Sequence, residues 1–249
     1  MILSLEQTDS TNSYMKAHSG RFGHGDAVTA KCQSAGRGQK GNKWESEPGR
    51  NLTISVMIVP EEAGVAVHAA RSFPISQAVA LAVSDLLCEL LPADQAMAVG
   101  IKWPNDIYVG DRKIAGILIE NSLAGAMVGR SIAGIGLNVN QHRFYSDAPN
   151  PVSLIQLTDR EYDIDHTASR LVEILSERFA MIGTDPAGLH ADYMARLWRG
   201  TGCQRFIDVA SGREFVAEVA GVAESGHITL RRVDGSTSVY AFKEIVWVM

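Results

Sequence analysis

Pro104 removes the helical option for the stretch from Lys102 to Glu120 and leaves a strand that has to be covered on both sides. A proline inside a helix lacks a backbone donor and clashes with the preceding turn, and it drives the residue before it, Trp103, into extended backbone. Lys102-Trp103-Pro104-Asn105-Asp106-Ile107-Tyr108-Val109, a Gly110-Asp111 turn and Arg112 to Glu120 therefore read as a β-hairpin. Along its second arm, period-two alternation puts Lys113, Ala115, Ile117 and Ile119 on one face and Ile114, Gly116 and Leu118 on the other. Both faces are apolar, so both are expected to be buried.

The remaining pattern supplies elements to cover such a strand. Ala27 to Cys32 and Asn51 to Val59 are further strand-like runs. Ile75 to Leu91 carries small and aliphatic residues around nearly its whole circumference, which suits a helix packed on a sheet. Helices are expected over His166 to Ile182 and over Pro186 to Trp198, the second capped by Asp185 with Pro186 at its first position. After Trp198 the text changes to short β-type runs, Arg205 to Val209, Glu214 to Val222, His227 to Val233 and Ser236 to Phe242, separated by Ser-Gly, Ser-Gly and Asp-Gly turns. Residues 1–197 thus read as one large α+β or α/β unit and 198–249 as a small β-barrel.

Composition narrows the function classes. A chain of 249 residues, 46% hydrophobic, is long enough for a sizeable core. With net charge -5 and pI near 5.8, a broad footprint on nucleic-acid phosphates is not expected, so any cationic cluster is local. The N-terminus lacks a basic start followed by an apolar run, and no uninterrupted apolar stretch approaches the roughly 20 residues of a membrane helix. Cytoplasmic residence without membrane contact is the expectation. Cys32, Cys88 and Cys203 are too far apart for a disulfide framework and read as buried small hydrophobes, and the seven histidines show no metal-ligand spacing.

Three segments carry candidate chemistry. Gln33-Ser34-Ala35-Gly36-Arg37-Gly38-Gln39-Lys40-Gly41-Asn42-Lys43-Trp44 is a glycine-rich basic loop. Gly36, Gly38 and Gly41 have dinucleotide-fingerprint spacing, but the turn Glu47 to Arg50 and another strand follow where a helix would have to start, and no Gly-Lys-Ser/Thr makes it a P-loop. Either it is a solvated hairpin loop, or it approaches an anion through backbone N–H groups, with Arg37, Lys40, Lys43 and Arg50 as charges and Trp44 as a flat wall for a small molecule. In the second segment, Lys113 is either a solvated strand-end cation or a ligand contact beside mid-strand Gly116, and Asp106 either an Asx-turn residue or a receiver for a cationic group. In the third, Ala133 to Asn140, Gly134 and Gly136 clear one face, either for close packing or for a base or ribose that Asn138 could hydrogen-bond.

Asp9-Ser10-Thr11-Asn12, the Gln33 to Trp44 loop, Lys102 to Asp106, Asp111 to Ile117 and Gly136-Leu137-Asn138 together resemble the biotin protein ligases, in that family's order and approximate spacing along almost the whole chain. The resemblance implies an α+β, mixed-sheet catalytic core with a small SH3-like β-barrel at its C-terminus. It implies that the biotin carboxylate attacks the α-phosphorus of ATP, giving biotinyl-5'-AMP and pyrophosphate, and that a lysine of a biotin carboxyl carrier protein then takes the acyl group. Lys113, Arg37 and Asp106 would be catalytic, Asp106 by orienting or deprotonating the acceptor amine. Ser10, Thr11, Asn12, Gln33, Gly36, Arg37, Gly38, Gln39, Trp44, Lys113 and Gly116 would hold biotin. Arg37, Lys40, Asn42, Trp44, Lys102, Asn105 and Asn138 would hold the nucleotide, with magnesium neutralising pyrophosphate and no protein metal ligand assigned. The winged helix-turn-helix of some members has no counterpart, so DNA binding is not expected; the family contains monomers and dimers. Many members have a loop richer in arginine, where Gln39 and Asn42 stand here, which implies a looser hold on the adenylate. A lipoate or octanoate ligase shares the fold, and a non-catalytic biotin- or nucleotide-binding module is the alternative of another class.

Overall fold

The computed structural model describes residues 1–145 and 150–248, except for the side chain of Lys40. Its larger sheet is formed by β1 (Ile2–Thr8), β2 (Ala27–Gln33), β3 (Leu52–Ile58), β4 (Val99–Lys102), β5 (Asp106–Val109), β6 (Arg112–Ala124) and β7 (Met127–Leu137). The strand order is β1-β2-β3-β7-β6-β5-β4, with β1 parallel to β2 and every other neighbour antiparallel. The helices are α1 (Thr11–Ala17), α2 (Phe73–Leu90), α3 (Ala93–Ala96), α4 (Leu154–Thr158), α5 (Ile164–Thr184) and α6 (Pro186–Ala195). The expected helices form within a few residues of their predicted bounds, and Asp185 caps α6 by accepting from the Gly188 N–H. The last helix stops at Ala195 rather than Trp198, because the chain there joins β4: Ile101 N–H donates to Arg196 O and Trp198 N–H to Ile101 O.

Alternation along β3 divides the two faces of the sheet. Leu52, Ile54, Val56 and Ile58 join the main core under α2 and α5, whereas Thr53, Ser55 and Met57 face the opposite way. Met57 meets Met15 of α1, with Phe22, Val28 and Ile132, in a second, smaller apolar cluster. β7 alternates in the same sense, Ala133, Ile135 and Leu137 towards the core and Ile132, Gly134 and Gly136 away from it. The segment Ala69–Leu90 is long and apolar enough to cross a membrane by length and composition, and more than half of it is buried.

The second sheet contains β8 (Gln204–Asp208), β9 (Glu214–Val222), β10 (Ile228–Arg232), β11 (Thr237–Tyr240) and β12 (Ile245–Trp247), in the antiparallel order β11-β10-β9-β8-β12. The three expected turns are there, with Gly212, Gly226 and Gly235 at φ of 67°, 88° and 83°, the left-handed region that favours glycine. This small all-antiparallel unit beside a mixed sheet and helices makes the chain α+β and is consistent with an SH3-like domain.

Two sequence expectations are corrected. None of the three cysteines is fully buried, and Cys203 is exposed because it lies in the loop leading into β8. Lys113 does not share a face with Ala115 and Ile117. Ile107 pairs with Ala115 but Tyr108 pairs with Lys113, so Ile114 is an extra, bulged residue that turns fully buried into the core and reverses the side of Lys113.

Candidate active site

The sheet face left open beside α1 is the floor of a cavity of about 680 Å³, within the usual range for small-molecule sites. Gly116 of β6 and Gly134 and Gly136 of β7 lie in this floor. Their missing side chains make room for the protein's own groups. A Cβ on Gly136 would fall 2.2 Å from Trp44 Cε2, one on Gly116 3.0 Å from Trp44 Cζ3, and one on Gly134 2.2 Å from Asn12 Oδ1. The glycine face thus carries the Trp44 indole and the Asn12 amide. A Cβ on Gly116 would also lie 3.5 Å from Lys113 Cε, which puts Lys113 on the cavity side.

Lys113 Nζ lies 2.6 Å from Asp106 Oδ1 and 5.9 Å from the centre of the Trp44 ring. Asp106 is the first residue of β5 rather than a turn residue; it pairs with Lys102 on one side and Gly116 on the other. Asn105 holds the preceding turn by donating to Ile117 O at 2.6 Å. Lys102 donates to Tyr108 Oη at 3.2 Å and lies over the Tyr108 and Trp198 rings. Burial lowers the pKa of Lys102, partly offset by the nearby charge of Asp106.

The glycine-rich segment is a hairpin laid across this floor. Trp44 N–H donates to Gly36 O at 3.0 Å, Gly38 N–H donates to Asn42 O at 2.7 Å, and Arg37 bridges Lys43. A Cβ on Gly36 would come within 2.5 Å of Trp44 O, and Gly41 turns the chain at φ 89°. The spacing that mimics a dinucleotide fingerprint is therefore explained by a tight hairpin. Arg37, Gly38, Gln39, Asn42, Lys43 and Trp44 line the cavity, whereas Arg50 lies outside it in an ion pair with Glu161, and the Lys40 side chain lies outside the described residues.

At the α1 end, Thr11 N–H donates to Gln33 Oε1 at 2.8 Å and Ser55 Oγ donates to Asn12 Oδ1 at 2.6 Å. With both carbonyl functions engaged, Gln33 Nε2 and Ser10 Oγ remain at the cavity lining as groups able to meet a small polar ring. Gly36 stands behind the lining, against Trp44 O. Asn138 is not brought into the cavity: it is buried, donates to Val152 O at 3.0 Å, and its Oδ1 is buried without a partner.

Sequence reasoning missed the contribution of the second sheet. Lys243, Ile245, Val246 and Trp247 line the cavity together with Lys102, Trp103 and Pro104. More than a hundred residues separate these walls along the chain; Lys243 has a φ of 70°, and the Trp103-Pro104 peptide bond is cis. Asp106 is the one carboxylate in the described lining, and no group of three metal-ligating side chains occurs among the described residues.

The arrangement is suited to a ligand that is polar at one end and anionic near the middle. Lys113 and Lys102 line the cavity next to Asp106, whereas Arg37 lies beside Asn12 among the uncharged hydrogen-bonding groups. The Biotin/lipoate A/B protein ligase family matches residues 4–138. The biotin--[acetyl-CoA-carboxylase] ligase of Mycobacterium tuberculosis is 31% identical over 244 residues, 97% of this chain and 87% of its own length. The bifunctional ligase/repressor BirA of Escherichia coli is 32% identical over 192 residues; the match takes in 77% of this chain and only 56% of that relative's length. Among solved structures, a biotin protein ligase from Aquifex aeolicus in complex with biotin and ATP superposes with a TM-score of 0.78 at 22% identity, covering 99% of this chain and 98% of that one, a likeness of fold. With more than half of its length matched by the family and a relative sharing nearly all of it, the chain belongs to the biotin/lipoate A/B protein ligase family.

Proposed function

We propose that the protein activates biotin with ATP and transfers the biotinyl group to a lysine of a carboxyl carrier domain. The observation that carries this reading is the Lys113 ammonium, 2.6 Å from Asp106 and beside the Trp44 indole, in a cavity with a glycine floor that Ser10, Thr11, Asn12 and Gln33 also line. Relatives named biotin--[acetyl-CoA-carboxylase] ligase support the choice of acid and acceptor.

In the first step a biotin carboxylate oxygen forms a bond to the α-phosphorus of ATP, and the bond to the bridging oxygen breaks as pyrophosphate leaves. Negative charge on the α-phosphoryl oxygens is met by Lys113, with Lys102 and Arg37 as the further cations of the lining. Nucleotide-bound magnesium would neutralise the leaving pyrophosphate. Gln33, Ser10, Thr11 and Asn12 hold the ring end of biotin, and the hairpin 36–44 shields the mixed anhydride from water. In the second step the acceptor amine attacks the acyl carbon, AMP leaves with the C–O electron pair, and the amine loses a proton. Asp106 orients that amine through the position it shares with Lys113. The adenine is held by Asn105, Asn42 and Trp44, with Asn138 acting from behind the lining. Residues 1–197 are the catalytic unit and 198–249 the small domain that closes one wall.

A lipoate ligase is the second reading, because the matching family embraces both acids. Pyrophosphate exchange into ATP with magnesium separates them: biotin-dependent exchange supports the reading, lipoate-dependent exchange replaces the acid, and no exchange with either leaves a binding module.

A further inference from the structure

Glu120 stands outside the cavity lining and yet grips two side chains that form it. β6 presents it on the same face as Gly116 and Leu118. Arg37, from the hairpin, donates to both carboxylate oxygens, NH2 to Oε1 at 3.0 Å and NH1 to Oε2 at 3.2 Å. Asn12, from α1, donates to Oε2 at 2.9 Å and to Leu118 O at 3.3 Å. One carboxylate therefore ties the glycine-rich hairpin to the helix at the far end of the cavity.

The side chain is 22% exposed, so this is not a freely hydrated surface pair. Burial works to raise its pKa, but hydrogen bonds from Asn12 and Arg37 outweigh that and hold it below the ordinary carboxylate value, keeping it an anion at neutral pH. A guanidinium has five N–H donors, and this fork uses two, one on each terminal nitrogen. Nε–H and the other terminal hydrogens remain for a phosphoryl or carboxylate oxygen in the cavity. Asn12 is fixed in the same way, with both amide hydrogens engaged and Oδ1 accepting from Ser55.

We propose that Glu120 is a positioning residue for adenylation: its shared carboxylate pins the hairpin to α1 and holds Arg37 and Asn12 side by side at the α1 end of the cavity. The proposal rests on the adenylation reading, and the first arm of its test does not depend on activity. Full-length Glu120→Gln and wild type, without ligand, are digested with trypsin and cleavage after Lys40 and Lys43 is timed. Loss of the bidentate fork is expected to raise hairpin cleavage about fivefold with the thermal midpoint unchanged. Equal cleavage overturns the proposal. Glu120→Asp, too short to meet both partners, is expected to fall between the two, and it decides the matter if Glu120→Gln does not fold.

The second arm is biotin-dependent pyrophosphate exchange. KM for biotin and ATP is expected to rise about tenfold, with a smaller change in kcat. Glu120→Gln combined with Arg37→Ala should lose less than the sum of the two single losses, the remainder being the Asn12 bond. Independent, additive losses would overturn the proposal. If wild type shows no exchange with biotin, the adenylation reading fails while the proteolysis result still decides whether Glu120 pins the hairpin.

Discussion

At the residue scale, a single extra residue determines where the central cation points. Without the bulge at Ile114, Lys113 would lie among Ala115, Ile117 and the core helices, where an ammonium would be costly to bury. The sequence shows the lysine, the mid-strand glycine and the apolar run, but not the bulge. Register is set jointly with β5, and strict alternation has no term for an inserted residue. Lys113→Ala should lower biotin-dependent pyrophosphate exchange roughly 10²-fold or more. Its thermal midpoint should be nearly unchanged, since the partner Asp106 is a quarter exposed and can be hydrated. Near-normal exchange would remove Lys113 from the chemistry. Glu120 was illegible for a related reason: its partners Arg37 and Asn12 lie 83 and 108 residues away along the chain. Because its folded-state pKa lies below the ordinary value of 4.5, its contribution is fully present above that pH and is lost as pH falls through the lowered value. Hydrogen exchange should show the Gly38 amide equally well protected from neutrality down to about 4.5, after correction for intrinsic rates, and losing protection only below. Loss of protection already near neutrality would show that the carboxylate does not hold the hairpin.

At the element scale, the glycine-rich segment was visible in the sequence, but two of its devices were not. Gly36 and Gly41 serve the hairpin itself, by close approach to Trp44 O and by a left-handed turn, and Gly38 uses its N–H internally on Asn42 O. An anion must therefore be met mainly by side chains. Here Gln39 and Asn42 line the cavity where cations would strengthen that field. Gln39→Arg with Asn42→Arg should lengthen the half-life of trapped biotinyl-5'-AMP about fivefold, each added charge contributing about 0.5 kcal/mol at a partly screened site. An unchanged half-life would show that the adenylate is held without help from these positions. The antiparallel turns of the second sheet were legible because Ser211-Gly212, Ser225-Gly226 and Asp234-Gly235 act locally, through positive φ. The edge strand Ile2–Thr8 was not, because it is short of neighbours on one side and its burial is irregular.

At the scale of the whole molecule, the change of pattern after Trp198 marks the small β-barrel unit, and its sheet packs into the same apolar core as the larger one. Phe206, Ile228, Leu230, Tyr240, Ile245 and Trp247 of the second sheet belong to the same apolar cluster as α2 and the central strands. The seam is aromatic. Trp198 lies 5.2 Å from Tyr108 and 5.5 Å from Trp247 between ring centres and donates from Nε1 to Gly110 O at 2.8 Å, while Trp103 donates to Gly226 O at 2.9 Å. Gly100 is small because a Cβ there would lie 3.0 Å from Trp198 Cβ. The same seam brings Lys243, Val246 and Trp247 to the cavity, so the small sheet supplies part of its wall. Trp198→Ala removes a nearly buried indole and leaves Gly110 O without its donor, which should cost about 3–5 kcal/mol. For a chain of this length that corresponds to a fall in Tm of roughly 10 °C. Calorimetry should show one cooperative transition at the lower temperature, and exchange activity should disappear with it. Two resolved transitions, with the larger unit still binding biotin after the first, would instead make the second sheet an independent domain and the wall it contributes dispensable.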